Sequence, residues 1–204
     1  MFKYTSRLVA VLVGLGGISA TTQANAAKFD FLTIANQGGE FGTSAYTLVV
    51  DGVGLTARGY NGTTQVFAYL DRINAGLGVC KTLSGTQCAP SNDDNVTVGE
   101  RINLTFDQAV TLSPTQFQAE GHIAKFGPSD FVSLQVDGGP ITSVQIPSNG
   151  MFSTALTGTS FDFIYNTQQF YIASVTAQAV PEPASLMLLG AGMLGMSLIR
   201  RRKA

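Results

Sequence analysis

Between Lys28 and Gln178 apolar side chains recur at every second position in short runs, and Gly, Asn, Asp, Ser or Pro interrupts the runs at close intervals. A period of two places each apolar set on one side of an extended strand, and frequent breakers leave no room for long helices. Phe29 and Phe31 flank Asp30, Tyr46, Leu48 and Val50 share a face, and Ile102, Leu104 and Phe106 alternate with Asn103, Thr105 and Asp107. Runs of the same kind cover 55–60, 65–70, 117–122, 131–136, 143–146, 151–156, 161–165 and 170–177. Asp51-Gly52, Asn61-Gly62, Asp137-Gly138-Gly139-Pro140 and Ser148-Asn149-Gly150 lie between them, and such pairs favour the positive φ of tight hairpins. About a dozen strands with one wet face each predict an all-β fold, an antiparallel β-sandwich of jelly-roll-like kind. The segment from Asn74 to Gly99 breaks the pattern and reads as a long loop, a length that in a compact domain signals function or disorder.

Both ends depart from this composition. Lys3 and Arg7 precede an uncharged stretch from Leu8 to Ile18, and Ala24-Asn25-Ala26 follows, the order of an export leader cut between Ala26 and Ala27. At the other end Val180-Pro181-Glu182-Pro183 leads into 16 residues without a charge, Ala184 to Ile199, and then Arg200, Arg201, Arg202 and Lys203. The prolines make Pro-Glu-Pro stiff and extended. The apolar run reaches about 24 Å at about 1.5 Å per residue, and it spans a core near 30 Å by local thinning and snorkelling arginines. Four cations after the run stay cytoplasmic, so the rest of the chain lies across the membrane. The organisation is a signal peptide over 1–26, one β domain over 27–179 and a tail over 180–204, with a single transmembrane helix.

Composition narrows the domain's chemistry. Residues 27–180 hold six Lys and Arg against twelve Asp and Glu, an acidity that the basic ends conceal. With no basic stripe to neutralise phosphates, nucleic acid is excluded as a partner. Cys80 and Cys88, the only two cysteines, close a disulfide in an oxidising compartment, since they lack the spacing and the histidines of a zinc site.

The ordered tail, Val180, Pro181, Glu182, Pro183, an apolar helix and terminal arginines, resembles the PEP-CTERM sorting signal of Gram-negative bacteria. The resemblance implies an exosortase-type enzyme that cleaves near the motif, transient residence in the inner membrane, and delivery to the cell surface or beyond, in organisms that make exopolysaccharide and biofilm. The stretch Gly76-Leu77-Gly78-Val79, the cysteine loop and Asp93-Asp94-Asn95 through Glu100 looks like one that recurs in the extracellular part of some such proteins. The tail attaches to many unrelated domains, so it implies a route and not an activity.

The remaining motifs give few catalytic leads. Gly190-Ala191-Gly192-Met193-Leu194-Gly195 has dinucleotide-fingerprint spacing, but no strand precedes it, and its small residues suit helix packing in a bilayer. His122 is the only histidine and sits two residues after Glu120 in an expected strand, with no nucleophile signature beside it. Glu40, Glu100 and Glu120 offer carboxylates for a glycosidase pair, although the chain has no tryptophan to stack a sugar. Asp93, Asp94, Asn95 and Glu100 form an oxygen-rich group suited to Ca²⁺, and the same letters suit a solvated acidic loop. These features predict a non-enzymatic structural or adhesive surface protein associated with exopolysaccharide, with Tyr46, Tyr60 and Tyr69 as sugar-facing candidates, no catalytic residues and no required cofactor. The alternatives are a calcium-dependent carbohydrate-binding module and a polysaccharide-acting hydrolase.

Overall fold

A computed structural model describes residues 26–181. The expected signal peptide, the transmembrane run and the basic terminus lie outside the described residues. Among those described, no helix is long and apolar enough to cross a membrane. The chain opens with β1 (Ala26–Asp30) and one helix, α1 (Phe31–Gly38). Next come β2 (Phe41–Thr43), β3 (Tyr46–Val50), β4 (Val53–Asn61), β5 (Thr64–Asp71), β6 (Gly76–Cys80) and the small hairpin β7 (Leu83–Ser84) and β8 (Gln87–Cys88). The second half holds β9 (Glu100–Ala119), β10 (Phe131–Val136), β11 (Thr142–Gln145), β12 (Met151–Phe152), β13 (Leu156–Tyr165) and β14 (Phe170–Ala179).

The fold is all-β and antiparallel throughout, but the strands do not divide into two separate sandwich sheets. Twelve of them form one sheet in the order β1-β14-β6-β5-β4-β9-β13-β10-β11, with β2, β3 and β12 alongside, and a further β14–β9 pairing closes β14, β6, β5, β4 and β9 into a five-stranded barrel-like ring. The physical reason is β9. A strand of 20 residues would run about 66 Å if straight, longer than a domain of this size. It curves instead, with β4 pairing only its first half, β14 and β12 only its second, and β13 running alongside from Arg101 to Leu112. Register shifts between Gly158 and Ser160 and along β14 absorb the bend.

The apolar faces meet inside this curl. Phe106 touches Phe29 and Phe161 edge-on, and Phe117 touches Phe163 and Phe170 in the same way, so aromatic rings join β1, β9, β13 and β14. Such pairs add about 0.5–1.5 kcal/mol each beyond area burial. The alternation expected at Ile102, Leu104 and Phe106 is realised, all three lying in the core. The Asp51-Gly52 turn has φ of 48° and 79°, as a two-residue hairpin between β3 and β4 requires.

Three local expectations are corrected. Phe31 does not continue a strand, because the Asp30 carboxylate accepts the Thr33 N–H at 3.0 Å and caps a helix there. The expected strand over 117–122 ends at Ala119, and His122 sits in a turn at φ 57°. The stretch expected to be a loop contains β6, whose five residues are all buried between β5 and β14.

Candidate acidic cleft beside the disulfide loop

Four separate segments converge where the second half of the barrel meets the loop after β8. Asp71 ends β5, Asp94 lies in the loop, His122 is in the turn after β9, and Tyr171 stands on β14. Ser91, Asn92, Asp94, Asn95, Glu120, His122 and Tyr171 line a cleft of about 260 Å³. The Tyr171 hydroxyl donates to Asp94 Oδ1 at 2.6 Å and packs edge-on to the His122 ring.

His122 is constrained at both nitrogens. Nδ1 lies 3.0 Å from the Ile73 carbonyl, which can only accept, so Nδ1 carries the hydrogen. Nε2 faces Asp71 Oδ2 at 3.2 Å, and that oxygen, on a side chain only 7% exposed, has no other partner. The Tyr171 hydroxyl stands 3.4 Å from the same Nε2, so this side of the ring faces two polar side chains. Both ring nitrogens of His122 thus face groups of the fold, the Ile73 carbonyl on one side and Asp71 with Tyr171 on the other.

Burial, followed by the neighbouring Asp94 charge, pushes the Asp71 carboxyl up to about 6. Burial also raises Asp94 despite its bond from Tyr171, and burial with the Asp94 contact keeps the Tyr171 phenol un-ionised. Glu40 adds repulsion to both aspartates, while its own ion pair is with Arg72 at 3.4 Å. The linkage has a definite sign. Between the unfolded value of 3.8 and about 6 the folded state binds more protons at Asp71, so its contribution to stability is greatest at low pH and declines as pH rises through that window. Asp71→Asn, whose amide can donate to Nε2, is expected to raise the melting temperature at neutral pH and flatten the slope between pH values of roughly 4 and 7. A variant melting curve parallel to that of the wild type across this range would refute the assignment.

The other predicted residues separate into distinct environments. Asp93 and Glu100 both meet Lys81 Nζ, at 2.7 and 2.9 Å, with Glu100 fully buried. Asp94 turns away to Tyr171, and Asn95 donates to Gln169 at 3.1 Å. The four calcium candidates thus serve three partners, and a lysine ammonium stands between two of them. Cys80 and Cys88 form the expected disulfide. Of the glycosidase candidates, Glu120 reaches the cleft, while Glu40 and Glu100 pair with cations elsewhere. Tyr69 is buried against the disulfide, Tyr46 packs on Phe41, and Tyr60 carries the Arg101 guanidinium 4.1 Å from its ring centre.

Asp71, Lys81 and Tyr171 were not among the candidates expected from sequence. Asp71 and Lys81 are polar groups at the edge of an apolar run, after Ala68-Tyr69-Leu70 and after Val79-Cys80, whereas Tyr171 sits inside the run Phe170-Tyr171-Ile172-Ala173 and gives no local signal.

At the domain's edge, Ala26 pairs with Gln178 and Ala27 with Ala177, and Ala27 is fully buried. Val180 N–H donates to Ala109, and Pro181 is exposed. Glu182, Pro183 and Arg200 to Lys203 lie outside the described residues. A family model of the PEP-CTERM protein-sorting motif matches residues 179–203, starting where β14 ends. No curated protein and no solved structure matches the chain. The match implies export and processing at a membrane by an exosortase. With its motif flush against the last strand of an antiparallel β domain, the chain is a PEP-CTERM domain-containing protein.

Proposed function

We propose that the β domain is a non-enzymatic structural or adhesive component of an exopolysaccharide layer, brought to the cell surface through its Pro181-Glu182-Pro183 motif. The observation that carries the reading is the position of the motif. It follows directly on β14, the strand that also holds β1, so Ala26, paired with Gln178, and Pro181 lie at the same edge of the domain. A domain tethered at one such edge presents its remaining surface outward.

That surface includes a polar sheet face suited to sugars. Register places Thr56 opposite Thr105 and Thr105 opposite Ser160, and in the next row Arg58 opposite Asn103 and Asn103 opposite Asp162. Asn103 is buried and braces the rows through bonds with Ser160, Asp162 and Thr105, while the half-buried hydroxyls of Thr56, Thr105 and Ser160 and the Arg58 guanidinium match the donors and acceptors of a glycan chain. The packing of His122 against Ile73, Asp71 and Tyr171 and the diversion of Glu40 and Glu100 into ion pairs support binding over hydrolysis.

The test begins in the producing cell. The mature wild-type protein is expected to lack the tail by intact mass, and the Pro181→Ala, Pro183→Ala double variant to retain it and remain in the membrane fraction. The released wild-type protein should co-sediment with the cell's own exopolymer without liberating reducing ends. A tail retained in both proteins would defeat the sorting part of the reading. Reducing-end release would defeat the non-enzymatic part.

A further inference from the structure

We propose that Lys81 and Asp93 condense into an intramolecular amide, with Glu100 as the buried proton relay, so that the domain cross-links itself after folding. The geometry sets three groups on one nitrogen. Lys81 Nζ is 2.7 Å from Asp93 Oδ1, which brings the carbon of that carboxyl within reach of the amine, and 2.9 Å from Glu100 Oε1. Asp93 Oδ2 accepts the Lys81 backbone N–H at 3.2 Å, which fixes the carboxyl and polarises it toward attack. The disulfide holds the two reacting segments together, since Cys88 Sγ contacts the Asp93 carbonyl and both sulfurs lie within 4.8 Å of the Asp93 carboxylate. Proximity of this kind converts a slow encounter into an intramolecular step.

Glu100 is the independent sign that the cluster is more than a surface ion pair. Its side chain is 0% exposed, Oε2 accepts the Thr97 N–H at 2.9 Å, and Oε1 has no well-aligned hydrogen bond although it faces the lysine. Burial raises its carboxyl above the usual range, as a resident proton donor requires.

The step balances within the protein. The ammonium passes a proton to the Asp93 carboxylate, giving an amine and a carboxylic acid. The nitrogen lone pair attacks the Asp93 carboxyl carbon, Glu100 protonates the departing hydroxyl and recovers a proton from the nitrogen, and water leaves as the C–N bond forms. Nothing is oxidised or reduced, and no activated co-reactant is consumed, which fits chemistry on an exported protein. The product suits the buried acid beside it, because a neutral amide replaces the half-buried Lys81–Asp93 ion pair and protonated Glu100 Oε1 gains a carbonyl to bond. Burial lowers the Lys81 basicity, but its close contacts with the Asp93 and Glu100 carboxyls outweigh that and raise it, so the free amine is a minor species. One event per molecule is enough, since the amide persists once made.

The experiment is intact mass of the purified full chain after reduction and denaturation, followed by trypsin. Wild type is expected to be lighter than its sequence by one water, and to yield one peptide spanning residues 73–101, uncut after Lys81. Glu100→Gln and Lys81→Arg should carry full mass. Asp93→Asn, where ammonia leaves in place of water, should converge on the wild-type product. A wild-type chain that keeps its full mass after prolonged incubation and is cut after Lys81 overturns the proposal, whatever the variants do. Water loss that survives Asp93→Ala overturns it too.

Discussion

Phe117→Ala is expected to lower the unfolding free energy by about 3–5 kcal/mol. The loss is large against the about 5–15 kcal/mol that an ordinary domain has in total. Phe117 is fully buried in the second half of β9, with its ring 5.9 Å from Phe163 and 5.4 Å from Phe170, both edge-on. It therefore contacts rings from β13 and β14 at the place where the sheet curls onto itself. Alanine leaves a cavity that antiparallel strands on both sides cannot collapse into, because their register is held by hydrogen bonds. Phe117→Leu should recover more than half of the loss. Urea unfolding of the three proteins measures this, and a shift for alanine below about 1.5 kcal/mol would show that Phe117 does not hold the closure.

Gly78→Ala is expected to cost as much through overpacking, at or above the top of the about 1–3 kcal/mol usual for an added methyl group. A Cβ at Gly78 would stand 2.1 Å from the Asp94 carbonyl oxygen and 2.9 Å from the Asn95 Cα, both backbone atoms. The loop after β8 lies directly on β6, and a methyl group there has to lift it. Lifting it separates Asp94 from Tyr171, loosens the Val96–Phe170 bridge and draws Asp93 from Lys81. The stability loss should thus be accompanied by a changed near-ultraviolet tyrosine signal and by loss of the Asp71-dependent pH slope. A substitution that destabilised the fold but kept that pH slope would place the cleft's integrity elsewhere.

Much of the architecture was legible residue by residue. The run over 131–136 coincides with β10, the runs at 55–60 and 65–70 lie within β4 and β5, and Asp51-Gly52 marks a real hairpin. These features follow from local rules, since side chains alternate across a strand and Asp-Gly tolerates positive φ. The run over 151–156 was half legible, because β12 ends at Phe152 and β13 begins at Leu156. Gly76-Leu77-Gly78-Val79-Cys80 reads as loop in the sequence for a clear reason. Glycines lack the side chains that make an alternating pattern, and here they admit close backbone neighbours on a strand buried on both faces.

The candidate site was far less legible. Tyr171 meets a residue 77 positions earlier and another 49 earlier, and Lys81 meets Asp93 and Glu100 across the disulfide loop. No local pattern announces such partners. Asp93, Asp94, Asn95 and Glu100 form one oxygen-rich group only as neighbours in sequence. In space the strand under the loop sends adjacent aspartates opposite ways, one to a lysine and one to a tyrosine.

The sequence alone determined the all-β character, the cysteine pairing and the sorting tail, because each depends on nearby residues: an alternation of two, a spacing of eight, an ordered motif and its flanking charges. Tertiary structure alone decided that the strands make one curled sheet, that Lys81 binds two acids and that His122 is locked between Ile73 and Asp71. Those outcomes depend on where β9 bends and on which strands it brings together, and a long-range pairing of that kind leaves no periodic trace in the residues that meet.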